Sequence, residues 1–197
     1  MTKYVLNSGR AMTSTDRGRK FFDEIFKGLG ENPKFLICYF AKAREKWEEN
    51  FTKDEQYFKE VFGDIDPILT LAFPDKFEEQ IKQSDAIFIH GGDDHLIQFW
   101  LNQFDLPKIW EGKVIAGSSA GSDVLSKHFW TCDWRQCMDG LGILPIKFLA
   151  HFKSEYGMND PRGAVDWENG YSELENYGDA NLPIYALKEG EFEIFEK

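Results

Sequence analysis

Residues 117–121, Gly-Ser-Ser-Ala-Gly, have the G-x-S-x-G spacing that puts a serine on a sharp strand-to-helix turn. The four residues before them, Lys-Val-Ile-Ala at 113–116, read as a buried strand, and residues 122–128 read as a helix. Gly117 and Gly121 would let strand and helix approach closely, leaving Ser119 exposed on a strained bend. The helix after the bend aims its free N–H groups at the hydroxyl, so Ala120 N–H is a natural oxyanion donor. The bland alternative is a Gly/Ser turn with no chemistry. A second stretch, residues 86–94, ends an apolar run in Gly91-Gly92-Asp93-Asp94. A glycine pair there can offer a second backbone donor to an oxyanion, or it can be an ordinary strand-to-helix turn.

A serine nucleophile needs a base, and the base needs an orienting acid. The histidines are His90, His95, His128 and His151. His90 lies in an apolar run, His95 at the start of a helical segment and His128 at the end of one. His151 follows an apolar run at 146–150, and a strand end is the productive position, so His151 is favoured. The acid stays open among Glu189, Asp133 and Asp139, because the chain has many carboxylates.

The elements around these residues define the scaffold. Short apolar runs at 4–6, 34–40, 68–72, 86–90 and 113–116 read as strands. Longer charged segments at 16–29, 41–62, 75–83 and 94–104 carry apolar residues at helical spacing, such as Phe22, Ile25, Phe26 and Leu29. Asp16, Asp75 and Asp94 stand where helix N-caps are wanted. Strand then helix, repeated, predicts an α/β fold with a mostly parallel sheet between helices. Further strands are expected at 140–145, 148–152, 184–187 and 192–195, the last two as a hairpin, and residues 154–180 as a long surface excursion.

The 197 residues fit one domain, residues 1–197. Aromatic residues make up 16% of the chain, enough for a large core. The formal charge of −11 repels phosphate backbones and anionic lipid, so nucleic-acid and membrane partners are not expected. No apolar run approaches the roughly 18 residues of a membrane span. The first twenty residues lack a long apolar stretch, and Cys38, Cys132 and Cys137 are too few for a disulfide framework, which points to the cytoplasm. No spacing calls for a metal or an organic cofactor. Neither G-x-G-x-x-G nor a Walker loop occurs, which argues against a nucleotide-binding flavodoxin-like protein.

Together the motifs resemble the peptidase E / cyanophycinase family of serine peptidases. The family's G-x-S-A-G elbow is matched by residues 117–121, its Gly-Gly-Asp/Asn turn by Gly91-Gly92-Asp93, its Gly-Leu-Gly and later His-Phe by Gly140-Leu141-Gly142 and His151-Phe152, and its late Glu-Gly by Glu189-Gly190. The resemblance implies a fold related to class I glutamine amidotransferases and a Ser119–His151–Glu189 triad. It also implies an oxyanion hole of Gly92 and Ala120 N–H groups, and site support from Asp93 and Asp133. An acid after the histidine agrees, since α/β-hydrolases place it before. The implied substrate is a short peptide, a dipeptide with N-terminal or β-linked aspartate, taken by a monomer or homodimer. An acidic substrate needs a local cation, and Arg135 and Arg162, which flank the His151 segment, are candidates. Competing readings are an ester or amide hydrolase, or a non-catalytic protein, on the same scaffold.

Overall fold

Strands without a polar face must be covered on both sides. That is how the first sheet is built in the structure, a computed structural model that describes residues 1–62 and 65–197. In chain order the elements begin β1 (Lys3–Asn7), α1 (Arg19–Phe26), β2 (Lys34–Cys38), α2 (Trp47–Val61), β3 (Ile68–Leu71) and α3 (Phe77–Gln83). They continue with β4 (Ala86–Ile89), α4 (Asp94–Leu101), the short α5 (Leu106–Ile109), β5 (Val114–Ser118) and the single turn α6 (Ala120–Asp123). The last part holds β6 (Ser126–Thr131), β7 (Gln136–Asp139), β8 (Leu144–Leu149), α7 (Trp167–Asn176), β9 (Ile184–Ala186) and β10 (Phe192–Glu196).

The first sheet has the order β10-β1-β5-β4-β2-β3, parallel except for β10, which runs antiparallel to β1. Central strands β4 and β5 are buried along their whole length. Asn7 pairs with Ser118 and Ile89 with Gly117, so β1, β5 and β4 end side by side. A smaller sheet, β7-β6-β8-β9, packs beside it.

The aromatic residues fill the space under α1 and α2. Phe21, Phe22, Ile25 and Phe26 are the buried face of α1. The Phe22 ring lies 4.9 Å from Phe58 of α2 and 5.4 Å from Phe88 of β4, both edge-to-face. Lys147 on β8 is fully buried, which requires partners for its ammonium. It donates to the Leu174 and Glu175 carbonyls, each at 2.8 Å. A cation is favoured at that carboxyl end of α7, so the pair fastens the helix to the second sheet.

The architecture agrees with the expected α/β class, with local corrections. The helix expected at 122–128 is only α6, and Ser126–Thr131 is strand β6. Its Phe129 and Trp130 are core residues, and Ser126 Oγ turns the chain by donating its one proton to the Asp123 carbonyl at 2.6 Å, with the His128 carbonyl also near at 2.9 Å. Residues 184–195 are not a hairpin: β9 joins β8 in the second sheet, whereas β10 joins β1 in the first. Residues 136–139 form an unexpected strand, and the excursion at 154–180 contains α7. The cap of α4 is Asp93, not Asp94, and the cap position of α3 is Lys76, at the end of a 3-10 turn, not Asp75. Asp16 accepts from the amides of Gly18 and Lys20 at the start of α1.

Phe22→Ala removes the shared ring of the aromatic cluster. It is expected to cost about 3–5 kcal/mol in urea-induced unfolding. A loss under about 1 kcal/mol would show that the cluster closes without it.

Candidate active site

The carboxyl ends of adjacent parallel strands are where such sheets place their chemistry. Here β1, β5 and β4 deliver Asn7 to Gly9, Ser119, and Gly91-Gly92 to one place, and β8 and β9 bring His151 and Glu189 from the other sheet.

Ser119 has φ 54° and ψ −124°, a region that a non-glycine residue occupies only under constraint. The constraint is visible in the packing. A Cβ at Gly121 would lie 2.1 Å from the Ile89 carbonyl oxygen, and one at Gly117 would lie 2.5 Å from that of Gly121. Only glycine permits this contact between the α6 turn and strands β4 and β5. Asn7 pins the bend, because its carbonyl accepts from Ser119 N–H at 3.0 Å and from Ser122 Oγ at 2.8 Å. Ala120 opens α6, where a helix leaves its first amides without internal partners.

His151 Nε2 lies 2.9 Å from Ser119 Oγ, and Nδ1 lies 2.9 Å from Glu189 Oε1. A carboxylate only accepts, so Nδ1–H donates to Glu189 and Nε2 is left to accept from the serine hydroxyl. The imidazole is 5% exposed as a residue and is wedged from two sides. Tyr156 stacks on it with centroids 4.1 Å apart, and a Cβ at Gly9 would lie 2.2 Å from its Cε1. Its backbone amide donates to Ser8 Oγ at 2.7 Å, and Ser8 Oγ donates to the Leu187 carbonyl at 2.6 Å. Burial pushes the His151 pKa below the usual imidazole value, and the hydrogen bond to Glu189 opposes that. Arg10 reaches the other oxygen of Glu189 at 3.2 Å while remaining half exposed.

The remaining candidates have definite places. Gly92 lines a small recess together with Ser119 and His151. Asp93 caps α4 through Leu96 N–H at 2.7 Å. Asp133 lines the recess and accepts from Tyr156 Oη at 2.8 Å. Arg135 and Arg162 do not line it. Both face Asp160, at 3.8 and 2.6 Å, and Arg162 also donates to the Asp133 carbonyl. Asp139 pairs with His128 at 2.7 Å, and His90 pairs with buried Asp54 at 2.7 Å.

Sequence reasoning missed Ser8, Arg10, Tyr156 and two acids, Asp94 and Asp123, which also line the recess. Asp123 stands four residues after Ser119, one turn away, a spacing that could have marked it. Burial pushes the Asp94 carboxyl up to about 7, and Asp123 is raised well above the usual carboxylate value by burial and then by the charges of Asp94 and Asp133. Among the described residues no three His, Cys, Asp or Glu side chains are arranged to hold a metal ion, and no helix is long and apolar enough to cross a membrane.

The fold and the strand-end serine define the class, an α/β protein laid out as a serine hydrolase. The model of peptidase family S51 matches residues 5–194, and the chain belongs to that family and is a serine-type peptidase of the peptidase E kind. A peptidase from an acI-B1 actinobacterium shares the fold, with a TM-score of 0.67 and 20% identity over 99% of this chain and 83% of that one. A peptidase E candidate from Listeria monocytogenes EGD-e gives 0.63 and 15% identity over 100% of this chain and 98% of its own. No curated protein matches the sequence.

The raised Asp94 pKa fixes the sign of a pH effect. Between an unfolded value of about 3.9 and the folded value of about 7, the folded state keeps a proton that the unfolded chain has released. The stability from Asp94 is full below about 4 and is lost as pH rises through 7. Relative to wild type, Asp94→Asn should therefore gain about 4 °C or more in Tm between pH 5 and pH 8. A gap independent of pH would show that Asp94 ionises normally.

Proposed function

We propose that Ser119, His151 and Glu189 act as a Ser–His–Glu triad that hydrolyses short peptides through an acyl-enzyme. The observation that carries this reading is the unbroken chain of two 2.9 Å contacts from Ser119 Oγ through His151 to Glu189. Ser119 Oγ attacks the peptide carbonyl while Nε2 of His151 takes its proton. Glu189 keeps the proton on Nδ1 and stabilises the imidazolium that forms. The N–H groups of Gly92 and Ala120 receive the oxyanion. His151 returns its proton to the leaving amine, and water, activated by the same nitrogen, releases the acyl group.

The substrate class we propose is dipeptides with an N-terminal or β-linked aspartate. Family membership supports peptide substrates, and a half-exposed cation at the site, Arg10, suits an acidic side chain. Arg135 and Arg162 remain candidates for this role, in competition with Asp160, which already holds both. Asp160 is kept well below the usual carboxylate range by Arg162, so it stays ionised as that competitor.

Two variants test the triad against a panel of Asp-X, isoaspartyl and neutral dipeptides followed by mass spectrometry. Ser119→Ala should lower kcat by roughly 10³-fold or more without changing Tm. Retention of near wild-type turnover would rule out the nucleophile. Glu189→Gln removes the group that raises the His151 pKa, so the acid limb of kcat/KM should move to lower pH while kcat falls roughly 10²–10⁴-fold. A limb that stays in place would separate Glu189 from His151.

A further inference from the structure

Behind the Gly91-Gly92 turn lies a buried carboxylate that takes no direct part in the reaction. Asp54 on α2 is only 6% exposed, and two side chains converge on one of its oxygens, Oδ2. Tyr39 Oη lies 2.6 Å from that oxygen and His90 Nε2 lies 2.7 Å from it. A carboxylate oxygen only accepts, so both groups donate to it. The Tyr39 and His90 rings stack with centroids 4.5 Å apart, and Phe88 packs on His90 at 4.3 Å. Burial first, and then the charge of Asp54, raise the Tyr39 hydroxyl well above its usual value, so it stays a donor. A buried carboxylate is costly, and an apolar residue would pack this helix on the sheet without that cost.

The place of the cluster gives it a use. Tyr39 directly follows Cys38, the last residue of β2, and His90 directly follows Ile89, the last residue of β4. Beyond the strands the two segments run on together. His90 N–H donates to the Cys38 carbonyl at 2.9 Å, and Asp93 N–H donates to the Ala41 carbonyl at 2.8 Å. Between these two bonds stand Gly91 and Gly92, whose amides have no acceptor among the described residues. A Cβ at Gly91 would lie 2.8 Å from Ser119 Cβ and 3.3 Å from its Oγ, and one at Gly92 would lie 2.3 Å from the Ala41 carbonyl oxygen. The turn is thus held between the nucleophile on one side and the segment that starts at Tyr39 on the other.

We propose that Asp54 is a positioning residue for the oxyanion turn, tying Tyr39 to His90 so that Gly92 N–H stays aimed at the carbonyl that Ser119 attacks. The inference rests on the serine-peptidase reading above and adds a part to its machinery. An oxyanion donor works only if its direction is fixed before the charge develops, and a misplacement of about 1 Å can cost roughly 10²-fold in rate. Asp54 acts through His90, the neighbour of Gly91, and does not touch the substrate.

The test is phosphonylation of Ser119 by a fluorophosphonate, read as maximal rate against half-saturating concentration, because the phosphonyl oxygen uses the same donors. Cleavage of the dipeptide panel is read in the same way, as kcat against KM. His90→Phe keeps a ring in the stack and removes the donor to Asp54, and Tyr39→Phe does the same from the other strand. Each is expected to lower the maximal rate roughly ten- to a hundred-fold and leave half-saturation within about two-fold, as loss of a transition-state interaction does. His90→Gln places an amide nitrogen where Nε2 stood and should recover most of the rate. Both bonds act through one oxygen, so the double variant should be little slower than the slower single one. A merely structural cluster would lower Tm and leave the rate alone, or would lose rate equally in His90→Phe and His90→Gln. Either result overturns the proposal, as do single effects that multiply. Should His90→Phe fail to fold, an unchanged rate in Tyr39→Phe overturns it. Wild-type protein that labels no faster than the variants removes the role of Asp54 alone, whereas wild-type protein that neither labels nor cleaves removes the serine reading and this role with it.

Discussion

The hydroxyl of Ser8 is where the two sheets are joined at the site. It accepts from the His151 amide and donates to the Leu187 carbonyl, and it follows Asn7, whose own carbonyl holds the Ser119 amide. The nucleophile follows a strand of the first sheet, the base follows a strand of the second, and the acid lies in the connection from β9 of the second to β10 of the first. A 2.9 Å contact between Ser119 and His151 therefore depends on how the sheets dock, which no single element controls. Two buried hydrogen bonds through Ser8 fix that docking close to the reacting atoms. Each is worth only about 1 kcal/mol net, but breaking one leaves a buried polar group unpaired, which costs more.

Strain and close packing then sharpen the arrangement. Ser119 adopts its positive-φ conformation because glycines on both sides let β5, α6 and β4 press together. The same device recurs on the opposite side of the imidazole, where Gly9 leaves no room for a side chain against His151. With Tyr156 stacked on the ring, the imidazole has little freedom to rotate away from the serine. Preorganisation of this kind lowers the reorganisation needed at the moment of proton transfer.

Much of this was legible in the sequence, for a physical reason. In a parallel sheet every strand end points to the same rim, so motifs far apart in sequence meet if each follows a strand. Residues 117–121, Gly91-Gly92, His151 and Glu189 all do. What was not legible depended on contacts across the sheets. Asn7-Ser8-Gly9 reads as an ordinary polar turn, and nothing local shows that Ser8 faces His151. Strand β6 was hidden because residues 122–128 continue an apparent helix, and only the burial of Phe129 and Trp130 in the second sheet ends it. Arg135 and Arg162 flank His151 in sequence, yet Asp160 draws both aside.

The acids around the nucleophile show how a strongly negative chain handles local charge. Carboxylates at the surface are solvated and cost little, but Asp94 and Asp123 are buried, where burial first and then repulsion from neighbouring carboxylates favour the protonated form. Apolar replacements of similar size would pack without that penalty. Their position explains why the penalty is confined to this place. Both residues line the recess that Ser119 and His151 also line, and neither takes part in the elbow bond to Asn7 or the bridge through Ser8. Groups kept unpaired at a cost to folding are characteristic of a site, where the arrangement answers to function and not to packing.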